Sequence, residues 1–189
     1  ILVILYLEIM MKLYGYWRSS AAYRVRIALN LKEINYESLS VHLVKNGGEQ
    51  HSPDYIELNP THLVPTLIDG EITLNQSLAI MDYLDAKYPN VALYPKNNAE
   101  KALVQALALD VACEIHPVNN LRVQQYLVND LGTSEQDKLT WSHYWMSKGF
   151  SAIEKKLINT AGLYCFGDQI TVADICLVAQ VYNAHRFNI

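Results

Sequence analysis

Cysteine is scarce in this chain: three in 189 residues, Cys113, Cys165 and Cys176. They form no Cys-x-x-Cys and no zinc-ligand spacing, and each sits among apolar neighbours. That pattern favours small buried hydrophobes in a reducing, cytoplasmic setting over a disulfide or a metal ligand. Basic clusters are missing as well. Fifteen Lys and Arg against nineteen Asp and Glu leave a net charge of −4, with no basic stripe to neutralise phosphates, so nucleic acid is not an expected partner. No apolar run is long enough to span a bilayer, and no membrane association is expected. The first ten residues, Ile1 to Met10, are apolar but contain Glu8, and they lack the basic segment and small-residue cleavage site of a signal peptide. With Met10-Met11 following, the natural start is expected at Met11 and residues 1–10 as a non-native leader. The chain stops at Asn188-Ile189 without a helix-ending signal, so a truncated C-terminus is expected. Internal repeats and low-complexity tracts are lacking. What is there is ordinary globular composition, 51% hydrophobic and 18% charged, with apolar mass for one large core or two small ones.

The first half alternates strands and helices. Lys12 to Tyr16 is a strand, followed by the polar break Trp17-Arg18-Ser19-Ser20. Val25 with Leu29, and Ile27 with Leu31, give helical spacing. Tyr36 to Val41 is a second strand, and Asn46-Gly47-Gly48 a turn or flexible loop. Pro65 to Ile68 and Ile72 to Leu74 form a hairpin through Asp69-Gly70. Ser77 starts a helix carrying Leu78, Met81, Leu84 and Asp85, which Tyr88-Pro89-Asn90 ends. The order β-α-β, hairpin, α is thioredoxin-like. Leu93 to Asn98 reads as a linker, and everything after it is helical. From Lys101 to Leu127 apolar residues occupy most faces, with a kink expected at Pro117. A second long helix is expected from Asp137 to Ile158, with Trp141, Tyr144, Trp145, Ile153 and Leu157 inward. Thr171-Val172-Ala173-Asp174 is a capping box flanked by the staple pair Ile170 and Ile175, a folding element without chemistry. The expected organisation is an α/β thioredoxin-like domain over residues 11–93 and an all-α domain over 99–189.

Three segments are placed to carry chemistry. Tyr14 to Ala22 joins a strand to a helix start, where hydroxyls cap the helix and its free N–H groups and dipole favour an anion. Thioredoxins hold their dithiol there; Ser19-Ser20-Ala21-Ala22 excludes such redox chemistry. Spacing alone supports no more than an N-cap for Ser19 or Ser20. In Leu63-Val64-Pro65-Thr66-Leu67 a proline opens a strand. A cis bond there would leave the Val64 N–H and C=O free to pair with an extended peptide, and an ordinary edge-strand proline fits the sequence too. Asn75-Gln76-Ser77 precedes a helix that Ser77 would cap, forming a second anion site suited to a carboxylate.

Together these segments resemble the glutathione site of the glutathione transferases, and the wording is closest to the zeta class. That class is marked by Ser-Ser-Cys-x-x-Arg-Val-Arg-Ile-Ala-Leu; this chain reads Ser19-Ser20-Ala21-Ala22-Tyr23-Arg24-Val25-Arg26-Ile27-Ala28-Leu29. The likeness continues through Lys45-Asn46-Gly47-Gly48-Glu49-Gln50, Leu58-Asn59-Pro60, Val64-Pro65-Thr66-Leu67 and Asn75-Gln76-Ser77-Leu78-Ala79-Ile80. It returns in Thr160-Ala161-Gly162-Leu163-Tyr164-Cys165 and Asn183-Ala184-His185-Arg186-Phe187. The resemblance implies the glutathione transferase fold with glutathione as cofactor, its sulfur at Ser19 or Ser20. It implies the cysteinyl backbone on Val64 beside Pro65, the γ-glutamyl group on Gln76 and Ser77, and the glycyl end at Gln50. Asn120, Leu121 and Arg122 would line the glutathione cleft from the helical domain, with His116 near the substrate. A capping or packing histidine ahead of Pro117 is an equal reading of His116. Arg186, and less directly Arg18, would hold substrate carboxylates, although a solvated arginine beside the turn fits Arg18 as well. Arg24 and Arg26 would tie the first helix to its surroundings.

The activity implied is glutathione-dependent cis–trans isomerisation of maleylacetoacetate in tyrosine and phenylalanine catabolism, by a cytoplasmic homodimer. Conjugation or dehalogenation of small electrophiles, and a non-catalytic interaction module, are the alternatives. Ala21 departs from the class motif, which has cysteine there. Lowering a thiol pKa by about two units takes roughly 2.7 kcal/mol. A helix N-terminus supplies about 0.3–2 kcal/mol and a hydrogen bond to a charged acceptor about 1.5–3 kcal/mol, so a serine and the helix suffice without the cysteine.

Overall fold

The computed structural model describes residues 10–189; apart from Met10, the expected leader falls outside the described residues. The chain divides into two compact units between Val91 and Ala92.

In the first unit, β1 (Lys12–Gly15), β2 (Glu37–Ser40), β3 (Thr66–Asp69) and β4 (Ile72–Asn75) form one sheet in the order β2-β1-β3-β4. β1 and β2 are parallel, as a strand–helix–strand crossover through α1 (Ser20–Leu31) requires; the other two pairings are antiparallel. The β3–β4 hairpin turns at Gly70, whose φ of 61 suits glycine. This is the thioredoxin-like arrangement expected from the sequence. Two further helices belong to it, α2 (Pro53–Leu58) and α3 (Ser77–Lys87). α2 is not among the elements periodicity reveals, since six residues are too few to show a period. Its start is nonetheless encoded: Ser52 Oγ accepts the Tyr55 N–H at 3.4 Å, and Pro53 fills the first turn, where no N–H is needed.

Alternation along β1 provides a core on each side of the sheet. Leu13 pairs in register with Leu67, and both are buried along with Val25, Ala28 and Leu29 of α1 and Ile80, Met81 and Leu84 of α3. Tyr14 belongs instead to a second cluster with Tyr16, Val41, Tyr55 and Val64. Lys32, at the C-cap of α1, buries its ammonium and uses all three N–H donors, on Asp85 (2.8 Å) and the carbonyls of Tyr88 (2.8 Å) and Val91 (2.6 Å). A buried ammonium is tolerable when each proton is spoken for, and this one ties the end of α1 to the end of α3.

The second unit consists of helices, apart from an isolated bridge between Ala161 and Gly167. They are α4 (Asn98–Leu109), α5 (Leu121–Asn129), α6 (Glu135–Leu157) and α7 (Val172–His185). The apolar run from Lys101 to Leu127 is not one kinked helix. α4 widens into a π-helical turn over Asp110–Ile115, Pro117 opens a 3₁₀ turn, and Asn120 starts α5 afresh by accepting the Arg122 N–H on Oδ1 at 3.2 Å. Pro117 lacks the N–H that would continue the ladder, so the chain stops and is re-capped instead of bending. In α6, Ser142, Met146 and Ile153 face inward, while Tyr144 is exposed and Trp141 and Trp145 are half-buried. Gly149 completes that inward line, and a Cβ there would stand 2.4 Å from Ile115 Cγ1. The capping box at α7 is present: the Asp174 carboxylate accepts from the Thr171 N–H (2.8 Å) and hydroxyl (2.9 Å) and from the Cys165 N–H (2.7 Å). Burial, with the Asp174 carboxylate adding to it, pushes the Cys165 thiol up to about 12, which leaves it an inert buried hydrophobe. Among the described residues no helix is long and apolar enough to cross a membrane.

Gly149→Ala should destabilise the chain by about 1–3 kcal/mol in urea unfolding, because the added methyl displaces the buried Ile115 side chain from its packing. A second expectation concerns acid. Burial raises the Asp69 carboxyl, but the Lys87 ion pair and the Tyr83 hydroxyl (2.7 Å) outweigh it and hold Asp69 below the usual carboxylate range. Its stabilising contribution is therefore present above the unfolded value near 4 and lost as pH falls through the lower folded one. With Lys87 partly exposed, Lys87→Met should cost only about 0.5 kcal/mol at pH 7, and the gap to wild type should narrow and then close as unfolding titrations are carried into acid and Asp69 is protonated in the folded chain.

Candidate functional site

Register brings three loop ends to one end of the sheet. Tyr14 of β1 pairs with Thr66 of β3, which pairs with Asn75 of β4. The end of β1, the start of β3 and the end of β4 are therefore adjacent, and they lead to Ser19-Ser20, come from Val64-Pro65, and lead to Gln76-Ser77. Sheet topology thus gathers the three segments singled out in the first unit.

At α1, Ser19 is the N-cap, with its Oγ accepting the Ala22 N–H at 3.2 Å. That bond uses a lone pair and leaves the hydroxyl proton to donate elsewhere. Ser20, the first helical residue, is buried and makes no side-chain hydrogen bond among the described residues. No acidic residue stands in the first turn, so nothing in the helix neutralises its positive end. The preceding turn is clamped by Arg26, which donates to the carbonyls of Tyr16 (3.4 Å) and Trp17 (3.2 Å). Arg18 is exposed and lies over the Trp17 ring, 5.4 Å from its centroid, the solvated reading of that arginine.

The Val64–Pro65 peptide bond is cis. Val64 is buried by its side chain, and among the described residues no hydrogen bond uses its N–H or C=O. What holds this loop is a polar cluster that pattern reading does not reveal. Asn59, 1% exposed, donates to the Leu63 carbonyl (2.8 Å) and Thr66 Oγ1 (3.1 Å), and its Oδ1 accepts from the Thr61 N–H and hydroxyl and from Asn75 Nδ2. The Tyr55 hydroxyl donates to the same Leu63 carbonyl at 2.6 Å and lies 3.0 Å from Thr66 Oγ1. Burial raises the Tyr55 phenol, so it stays a neutral donor. The sequence signal was Leu58-Asn59-Pro60, an asparagine pinned between an apolar residue and a proline.

At α3 the structure corrects one expectation. Ser77 is not the cap. Gln76 is, exposed, with φ 67 and ψ 110 and no side-chain capping bond, and Ser77 is the first helical residue. The cause is Arg24, buried at 2% exposure, whose Nη1 donates to Ser77 Oγ at 3.3 Å and draws that hydroxyl inward. A non-glycine residue at this φ and ψ costs about 1–3 kcal/mol, held by the surrounding bonds. Gln50 is buried in the 3₁₀ turn Glu49–His51. Its Nε2 donates to the Leu43 carbonyl at 3.3 Å, while its Oε1 is buried and without a partner. Gly48 makes room for that amide: a Cβ there would lie 2.4 Å from Gln50 Nε2.

In the second unit, His116 follows the π-helical turn, and its Nε2 lies 3.5 Å from Asn120 Nδ2. Asn120 caps α5, Leu121 and Arg122 open it, and Arg122 is exposed. These four thus form one corner. Arg186 belongs to a different helix end, the exposed C-cap of α7, with its N–H donating to the Ala184 and Asn183 carbonyls. Among the described residues no group of three or more His, Cys, Asp or Glu gathers as metal ligands.

Comparison with known proteins identifies the family. Residues 10–86 match the family described as glutathione S-transferase, N-terminal domain. A probable maleylacetoacetate isomerase of Vibrio cholerae is 57% identical over 177 residues, covering 94% of this chain and 82% of the relative. The holo structure of a maleyl pyruvate isomerase, described as a bacterial zeta-class glutathione S-transferase, superposes with a TM-score of 0.90 at 44% identity, over 94% of this chain and 84% of that one. A maleylacetoacetate isomerase of Methylobacterium extorquens AM1, crystallised with malonate and glutathione, gives 0.90 at 40% identity and the same coverage. The chain belongs to the glutathione transferase family and, within it, to the zeta class.

Proposed function

We propose that this chain is a glutathione-dependent cis–trans isomerase of maleylacetoacetate, acting as a cytoplasmic homodimer in tyrosine and phenylalanine catabolism. The observation that carries the reading is the set of unspent hydrogen-bonding groups at one end of the first unit's sheet. These are the Ser19 hydroxyl proton at an unneutralised helix start, the Val64 N–H and C=O, the Ser77 hydroxyl, and the unpartnered buried Oε1 of Gln50. A tripeptide with a central thiol, an extended backbone and a terminal α-amino acid fits those groups in kind. Val64 pairs with the cysteinyl backbone, Gln76 and Ser77 take the γ-glutamyl group, and Gln50 takes the glycyl end. When bound, glutathione supplies a thiolate able to add reversibly to a conjugated cis alkene, which frees that bond to rotate.

The chain's own part is positioning and charge. Ser19 donates its hydroxyl proton to sulfur while Oγ keeps the helix cap, so one side chain does both without conflict. The N-terminal end of α1 adds its partial positive charge. Ser20, at the next position, is the reserve donor. Arg24 has only donors to offer, so Ser77 Oγ must accept from it, and the Ser77 proton is directed to a carboxylate. In the helical unit we assign Asn120, Leu121 and Arg122 to glutathione and His116 and Arg186 to the substrate, with Arg18 of the first unit as a further substrate contact, the two arginines being suited to carboxylates. Maleylpyruvate is a second candidate substrate, favoured by the likeness to the maleyl pyruvate isomerase structure at TM-score 0.90.

A spectrophotometric assay with each of the two cis acids, plus and minus glutathione, tests the proposal: turnover should require glutathione and be higher with maleylacetoacetate. No glutathione-dependent turnover of either acid would reject it. Ser19→Gly nearly preserves the helix cap but removes a bond to charged sulfur of about 1.5–3 kcal/mol. The thiol of bound glutathione should therefore titrate about one to two units higher by thiolate absorbance, and turnover should fall about 10–100-fold at neutral pH.

A further inference from the structure

Two imidazoles of the first unit have no part in the roles above, and they face each other. His51 closes the 3₁₀ turn that holds Gln50, and His62, with φ 56, lies in the loop leading to Val64. Their Nδ1 atoms are 3.0 Å apart and their ring centroids 5.2 Å apart. The centroid separation exceeds the nitrogen separation by about two ring radii, so each ring presents its Nδ1 to the other. Neither ring has another hydrogen-bond partner among the described residues, and His51 is exposed. Two imidazole nitrogens meeting in this way either share one proton or share a cation.

Imidazole nitrogens sit about 2.0–2.1 Å from a bound zinc-like ion, so two of its ligands stand about 2.9 Å apart at a right angle and about 3.4 Å at the tetrahedral angle. The observed 3.0 Å lies within that interval before any backbone moves. We propose that His51 and His62 form a two-histidine site for a divalent transition-metal ion of the class that prefers imidazole, such as Zn²⁺, Ni²⁺ or Cu²⁺. Each ring turns about its χ2 so that both Nδ1 lone pairs converge on the ion. The ring that donated in the pair changes tautomer, its proton passing through water to Nε2. No third protein ligand of the His, Cys, Asp or Glu type gathers there among the described residues, so water completes the coordination and the ion exchanges readily. The bound ion joins the Gln50 turn to the Val64 loop. Its effect on glutathione affinity rests on the function proposed above; ion binding itself does not.

The test is calorimetric titration of Zn²⁺ into the full chain without glutathione. Cys113, unlike Cys165 and Cys176, is exposed and not the buried hydrophobe the sequence suggests; its thiol is removed by Cys113→Ser in every sample, and His51→Ala and His62→Ala are compared on that background. Neither imidazole belongs to the buried core, so circular dichroism should be unchanged. The expected result is one ion per chain, a binding constant lowered at least about tenfold by either substitution, and no further loss in the double variant. Equal binding by the parent and both variants, or a loss confined to one of them, overturns the site. S-methylglutathione, whose blocked sulfur does not compete for the ion, is then titrated with and without Zn²⁺. An affinity change that disappears in His51→Ala supports the link between the two loops, and an unchanged affinity overturns it. Zinc binding without any affinity for S-methylglutathione would reject the glutathione reading while leaving the metal site standing.

Discussion

The amide of Asn59 is the contact on which the rest of the first unit's site depends. It is buried, yet it donates to the Leu63 carbonyl and to Thr66 Oγ1 and accepts from Thr61 and Asn75. Those partners belong to the loop before β3, to β3 itself and to the end of β4. One planar group therefore fixes where the chain enters β3 relative to where it leaves β4. The Tyr55 hydroxyl, donating to the same Leu63 carbonyl, fills that oxygen's second lone pair. With the carbonyl of Leu63 committed on the protein side, the Val64 peptide groups are left to the outside. An apolar residue in place of Asn59 would strand several buried polar atoms at once, each costing about 1–3 kcal/mol. Position 59 is thus as constrained as a core leucine, for a reason that has nothing to do with hydrophobicity.

The two helix starts are prepared by a similar division of labour. At α1 the cap bond consumes a lone pair of Ser19 and spares its proton; at α3 the Arg24 guanidinium does the same to Ser77. Neither helix has an acidic residue in its first turn, so neither positive end is quenched from within. A ligand that brings an anion to each start meets donors already oriented, and it need not break a protein hydrogen bond to use them. This is why Ala21, standing where the zeta class has cysteine, need not abolish thiolate stabilisation. On the function proposed above, the helix end and the Ser19 proton together would supply the roughly 2.7 kcal/mol that a shift of two units demands.

Local signals in the sequence carried far in some places and failed in others, for identifiable reasons. The hairpin at Asp69-Gly70, the helix begun near Ser20 and the capping box at Thr171–Asp174 are written in contiguous residues, and they formed as read. The kink expected at Pro117 is a full stop, because Pro117 has no N–H to continue the ladder and Asn120 offers a new cap three residues on. Tyr144 was expected inward and is exposed, since the buried line of α6 runs through the small residues Ser142 and Gly149 where another segment approaches closely. Aromatic residues draw the eye in a pattern, but close packing selects small ones. The capping role expected of Ser77 moved to Gln76 through a contact with Arg24 across fifty-three residues, which no window along the chain contains.

The same distinction separates the site residues that could be read from those that could not. Ser19, Val64, Gln76 and Ser77 lie at ends of elements, where motif wording and secondary structure point to one place. Asn59, Tyr55 and Thr66 sit behind them and touch each other only once β1, β3 and β4 are in register. Their chemistry is a property of the folded pairing and not of any segment. If the proposed function holds, substitutions at the front of the candidate site should alter glutathione handling with little effect on stability, whereas substitutions behind it should lower stability and affinity together. A residue that fixes a loop cannot be weakened without loosening what the loop presents.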